Sequence, residues 1–264
     1  MIKIKLLSLL ISLSIVSTTY AALTDNIVVY YKLDDTSDSV GTNTLTNNGT
    51  VTFSTGKIGN GAYIDAYAAL ATKFLSVASD LGITGGAMSI NCWYYPTGAP
   101  SSGQYHAIAS QGDSGTFVNQ QIQYKNTGGT LGIWFNRQRQ NVANDGPTYN
   151  VTLTTGTWYM ITYTYDGSNI NGYLNASLVA GPTASTGNGA SGVTDYFYLG
   201  AIRGNGTNEN QPNGRIDECG VWTRAITASE ISQLYNSGTG LQYPFSTTAN
   251  TTPQFMGFFR FFAF

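Results

Sequence analysis

Residues 213–238 constrain this chain more than any other stretch. They open as a strand over 215–222, in which Cys219 and Val221 share a face that reads as inward. Thr227 and Glu230 then form a capping box: each residue's side chain accepts a hydrogen bond from the other's backbone N–H. Ile231, Leu234 and Tyr235 supply one apolar helix face, and Gly238 is placed to stop the helix. Beyond residue 21 no other stretch has a clear helical period. A chain whose only helix follows its last strand has to build its core from sheets.

Strand signals recur along the rest, bounded by Gly, Asn, Asp, Ser and Pro. They fall at 27–33, 62–65, 88–95, 106–110, 120–125, 131–137, 157–166, 171–174 and 196–201. Met88, Ile90, Cys92 and Tyr94 share one face, so Cys92 also points inward. Asp166, Gly167, Ser168 and Asn169 read as a hairpin turn, and residues 126–129 as another.

The first 21 residues read as a secretory leader, with a retained N-terminal anchor as the other reading. Lys3 and Lys5 precede an apolar run from Leu6 to Val16, and Thr19 and Ala21 are small residues at the cut. That run is shorter than the roughly 20 residues a spanning helix needs, so the mature chain is expected to have no transmembrane span. Export implies a secreted or cell-surface protein and an oxidising compartment. A Cys92–Cys219 disulfide is therefore expected, with two buried free thiols as the other reading. Loss of Lys3 and Lys5 takes the formal charge from -2 to -4. No basic stripe remains, which excludes nucleic acid as a partner. One β domain is expected over 22–245. A Thr-rich linker and a Phe-rich tail follow over 246–264; the tail reads first as an edge strand or as hydrophobic docking onto the domain, and second as a self-assembly element.

Several short segments carry a family resemblance. They include Val29, Tyr30, Tyr31, Lys32, Leu33 and Asp34; the glycine-spaced 56–61; the strand 88–94; the aromatic strand 158–167; and 214–222. In this order they resemble the concanavalin A-like lectin/glucanase superfamily, and specifically the laminin-G-like domains of bacterial surface proteins. The resemblance implies an all-β, two-sheet antiparallel jelly roll with one short helix after the last strand. Its members usually bind glycans without chemistry. The chain departs from the pattern at Ala66 and at Ala176, where the family often has glycine.

The superfamily also contains glucanases, which need two carboxyl groups about 5 Å apart. The only glutamates are Glu209, Glu218 and Glu230, and none sits in the Glu-x-Asp-x-x-Glu pattern of those enzymes. Asp217 and Glu218 are adjacent in a strand and are expected on opposite faces. His106 is the single histidine, with no nucleophile pattern around it. Carbohydrate or surface-polymer binding is the first expectation, a structural or adhesive assembly subunit the second, and a glycoside hydrolase the third. Asp34, Asp35, Asp38 and Asn47 are oxygen-rich in the way calcium prefers. The resemblance adds Asp217 to this structural calcium set. For the glycan, Tyr105, Gln123, Trp134, Arg137, Arg139 and Tyr149 are the candidate contacts, Arg137 and Arg139 sharing a face.

Overall fold

Period-two alternation over most of the chain becomes two packed sheets. The computed structural model describes residues 22–83, 85–113, 118–138, 146–186, 195–204 and 207–245. The expected leader, the linker with its Phe-rich tail, and Arg139 lie outside them.

The early strands are β1 (Ile27–Tyr31), β2 (Thr46–Asn48), β3 (Thr52–Thr55), β4 (Asn60–Ile64), β5 (Ala68–Leu70), β6 (Phe74–Val77) and β7 (Met88–Pro96). The middle ones are β8 (Tyr105–Asp113), β9 (Val118–Thr127), β10 (Thr130–Arg137), β11 (Thr148–Asn150), β12 (Tyr159–Tyr165), β13 (Asn169–Leu174) and β14 (Ser177–Ala184). The chain continues through β15 (Asp195–Leu199), β16 (Ile202–Gly204), β17 (Thr207–Gln211) and β18 (Gly214–Trp222), then α1 (Ala228–Tyr235).

One sheet runs β14-β13-β12-β7-β18-β4-β3, with β1 also paired to β18; the other runs β11-β10-β9-β8-β15-β6-β2. Their facing sides enclose the main core, which includes Tyr31, Ile90, Tyr94, Ile122, Phe135 and Phe197. The expected antiparallel jelly roll is therefore present. The sequence reading lacked the small third sheet, β16-β17-β5. Ile202 of β16 packs on Ala107 of the seven-stranded sheet.

The helix forms as its cap dictates. Glu230 N–H donates to the Thr227 hydroxyl, and Thr227 N–H donates to the Glu230 carboxylate at 2.8 Å. Ile231 and Leu234 pack on the outer face of the eight-stranded sheet beside Trp93, Met160 and Trp222. The helix ends two residues before Gly238, at Asn236, which adopts the left-handed conformation with φ 46°. At the family's usual glycine, the β13–β14 turn places Asn175 and Ala176 at φ 50° and 65°. Ala176 thus holds a conformation that glycine would adopt without strain.

Strand β18 is irregular. Its register against β7 shifts between Asp217 and Gly220, and Glu218 sits at φ 48°. This bulge aims Cys219 at Cys92, and the two are joined by a disulfide with a Cα–Cα distance of 4.3 Å across 127 residues. Both cysteines are buried in the main core. So long a loop makes the crosslink worth about 4–5 kcal/mol in the chain-entropy model. Unfolding by urea with and without reductant should show that loss. Equal midpoints in both conditions would contradict it.

Candidate functional site

The outer face of the seven-stranded sheet follows from register, because cross-strand partners share a face. Ile133 and Phe135 of β10 enter the core, so Gly132, Trp134 and Asn136 point outward. Trp134 lies between Thr148 of β11 and Gln123 of β9. The next row is Asn150, Gly132, Lys125 and Tyr105. Sheet β16-β17-β5 covers part of this face. Thr148 and Asn150 are exposed, while Tyr105, Lys125 and Trp134 are half-buried.

These side chains touch. The Tyr105 and Trp134 ring centroids are 6.4 Å apart, and the Lys125 ammonium lies 4.3 Å from the Trp134 centroid. Partial burial pushes the Lys125 pKa down. Gln123 is only 1% exposed, and its Nε2 has no hydrogen-bond partner. Gln121, next along the same face, has a buried Oε1 in the same condition.

Of the expected glycan contacts, Tyr105, Gln123 and Trp134 come together. Tyr149 and Arg137 do not. Tyr149 pairs with Ile133 and packs on the core side of the sheet. Arg137 is 0% exposed; its guanidinium lies 4.2 Å from the Tyr165 centroid and donates to the Ser185 hydroxyl at 3.2 Å. The alternation Leu131, Ile133, Phe135, Arg137 assigns this placement, and comparing Arg137 only with Arg139 missed it. Lys125 was also missed, although Gln121, Gln123 and Lys125 alternate on the polar side of β9.

The five expected calcium ligands have separate positions. Asp34 Oδ1 accepts from Asn60 N–H at 2.7 Å, and Asp35 Oδ1 from Ser37 N–H at 2.7 Å. Asp38 accepts from the N–H groups of Tyr30, Val40 and Asn43. Asn47 exchanges two bonds with the Val51 backbone. Asp217 accepts from Lys57, Ile58 and Glu218 N–H. Among the described residues, no three acidic, His or Cys side chains form a metal-holding group. Asp34 and Asp217 do meet one turn, residues 56–60. That turn closes because Gly56 and Gly59 lack a Cβ, which would stand 2.5 Å from the Asp217 and Asp34 oxygens respectively.

Asp217 and Glu218 also correct the expectation of opposite faces. The bulge breaks the alternation, so both carboxyls serve the outer side of the eight-stranded sheet. Glu218 accepts from the Tyr30 hydroxyl at 2.5 Å and from Gln242 Nε2 at 2.6 Å. Burial pushes Asp217 up to about 8, with the Glu218 charge adding to it, and burial pushes Glu218 up to about 7. Both are closed to solvent and engaged by protein donors. Raised pKa values here follow from burial under the 56–60 turn and the 241–245 segment rather than from a cleft.

Comparison with known proteins places this geometry. A family model described as the concanavalin A-like lectin/glucanases superfamily matches residues 59–232. Domain 4 of AbnA, a GH43 extracellular arabinanase from Geobacillus stearothermophilus solved with arabinotriose, has a TM-score of 0.59 at 20% identity. That match covers 78% of this chain and 97% of the domain. The binding domain of Paraclostridial Mosquitocidal Protein 1 gives 0.64 at 16% identity, covering 81% of this chain and 52% of that one. The receptor-binding domain of the botulinum neurotoxin C/D mosaic serotype gives 0.59 at 14%, covering 81% and 51%. The chain thus spans about half of each toxin chain, and at these identities the likeness is one of fold. No curated protein sequence matches this chain. No helix among the described residues is long and apolar enough to cross a membrane.

His106 supplies a pH signature. It is buried, stacks on Tyr67 at 5.3 Å, and its Nδ1 is 3.4 Å from the Tyr94 hydroxyl. Burial holds its pKa down to about 4. The unfolded chain therefore binds this proton first, and stability is lost as pH falls from about 6.5 towards 4. The loss attributable to this group is about 3 kcal/mol. Urea unfolding at pH 7 and pH 4 should show a smaller difference for His106→Gln than for the native chain. The same difference in both would reject this assignment.

Proposed function

The chain belongs to the concanavalin A-like lectin/glucanase superfamily, and on that premise we propose that it is an exported, non-catalytic domain that binds carbohydrate or another surface polymer. The binding surface in this reading is the outer face of the seven-stranded sheet. The carrying observation is the contact set of Tyr105, Trp134 and Lys125, beside the buried Gln123 whose Nε2 has no partner. Aromatic rings offer flat apolar surface to the C–H face of a sugar. The ammonium donor beside them can orient its oxygens.

Three further points support parts of the reading. The arabinanase domain was solved with arabinotriose, which fits a sugar-binding use of the fold. The disulfide and the leader-like residues 1–21 suit an exported chain. Against catalysis, Asp217 and Glu218 are buried, and a glycosidase needs its two carboxyl groups on the substrate. Calcium enters the proposal as a stabilising ion taken by the exposed oxygens of Asp34 and Asp35 rather than by all five expected ligands.

A glycan array on the chain from Ala22 onward, with calcium and again with EDTA, tests this. Trp134→Ala should weaken binding by roughly thirtyfold, the size of an interface hot spot. Its urea midpoint should stay near the native value, because Trp134 is half-buried. Arg137→Ala should instead lower stability, since its guanidinium is packed inside. An unchanged melting temperature with EDTA would remove the ion. Absence of binding in every condition would replace the lectin reading with that of a structural subunit.

A further inference from the structure

We propose that this face selects sugars that carry a carboxylate, and that Lys125 receives it; the inference rests on the glycan-binding reading above. Lys125 is a cation in neutral surroundings. Its row neighbours are Tyr105, Gly132 and Asn150, none of them acidic. The ion pairs among the described residues join Lys73 to Asp65 and Arg224 to Glu230, leaving Lys125 out. Its ammonium lies instead over the Trp134 indole.

The second observation is Gln123. It lies two residues before Lys125 on the same face of β9 and is the cross-strand partner of Trp134. Its buried Nε2 has no acceptor. This amide nitrogen and the Lys125 ammonium are both donors, while Gln121 Oε1, one step further along β9, is an unmet acceptor. An ammonium has no acceptor capacity, and the amide nitrogen has none either. An ionised carboxylate is acceptor-only and answers the ammonium without bringing a donor of its own. A sugar hydroxyl can also accept from the ammonium, but a carboxylate adds the attraction of an opposite charge.

The geometry gives this a sequence of events. In the free protein the ammonium occupies the ring face on which a sugar would stack. A carboxylate draws the ammonium aside, and the freed indole takes the sugar's C–H face. The chain's net charge is -2, so no long-range field assists, and the selectivity is a contact effect.

Isothermal titration with trigalacturonate, its methyl ester, 3′-sialyllactose and lactose tests the proposal. At least one acid should bind about tenfold more tightly than its neutral counterpart. Whichever acid does so identifies uronic or sialic sugars as the source of the carboxylate. Lys125→Gln should erase that preference, bringing the acid to the affinity of its neutral counterpart, while Lys125→Arg should retain most of it. Equal affinity for acid and neutral forms, or a preference that survives Lys125→Gln, overturns the carboxylate assignment and leaves glycan binding standing. If none of the four sugars binds and the array is also empty, both readings fall.

Discussion

Strand β18 is bonded to three neighbours, β7, β4 and β1, and one left-handed residue within it organises much of the molecule. Without the bulge at Glu218, strict alternation would put Asp217 and Cys219 on one face and Glu218 on the other. With it, Cys219 reaches Cys92 in the core, while Asp217 and Glu218 both serve the outer side. Bulges are the usual way a strand re-aims a side chain without leaving its sheet.

The consequences extend along the chain. Asp217 satisfies the N–H groups of Lys57 and Ile58, so the β3–β4 turn is pinned to the last strand by a buried carboxylate. Glu218 ties Tyr30 of the first strand to Gln242 beyond the helix. Buried acids are costly unless they accept hydrogen bonds, and each of these does. The first strand and the segment after the helix are thus fastened to one irregular position, and the helix completes the cover by packing on Trp93 and Trp222.

The candidate site obeys the opposite rule, regular alternation. Strands β9 and β10 keep strict register from Thr127 paired with Thr130 to Gln120 paired with Arg137. Their outward residues therefore form an ordered surface of Gln121, Gln123 and Lys125 against Asn136, Trp134 and Gly132. That surface was legible in the sequence for Tyr105, Gln123 and Trp134. Arg137 was misread because only its parity with Arg139 was weighed, although its parity with Ile133 and Phe135 assigned it to the inner side. An arginine is tolerated there because Tyr165 covers its guanidinium and Ser185 accepts from it.

By itself the sequence determined the sheet-built class, the capped helix, the inward-facing cysteines and the polar face of β9, since all depend on short-range periodicity and local hydrogen bonding. It also carried the family order of motifs. Tertiary structure alone decided that Glu218 breaks its strand, that Asp34 and Asp217 meet at one glycine-closed turn, and that Lys125 rests on Trp134. These arrangements join residues far apart in the chain or depend on which strand lies beside which, and no local pattern encodes that neighbourhood.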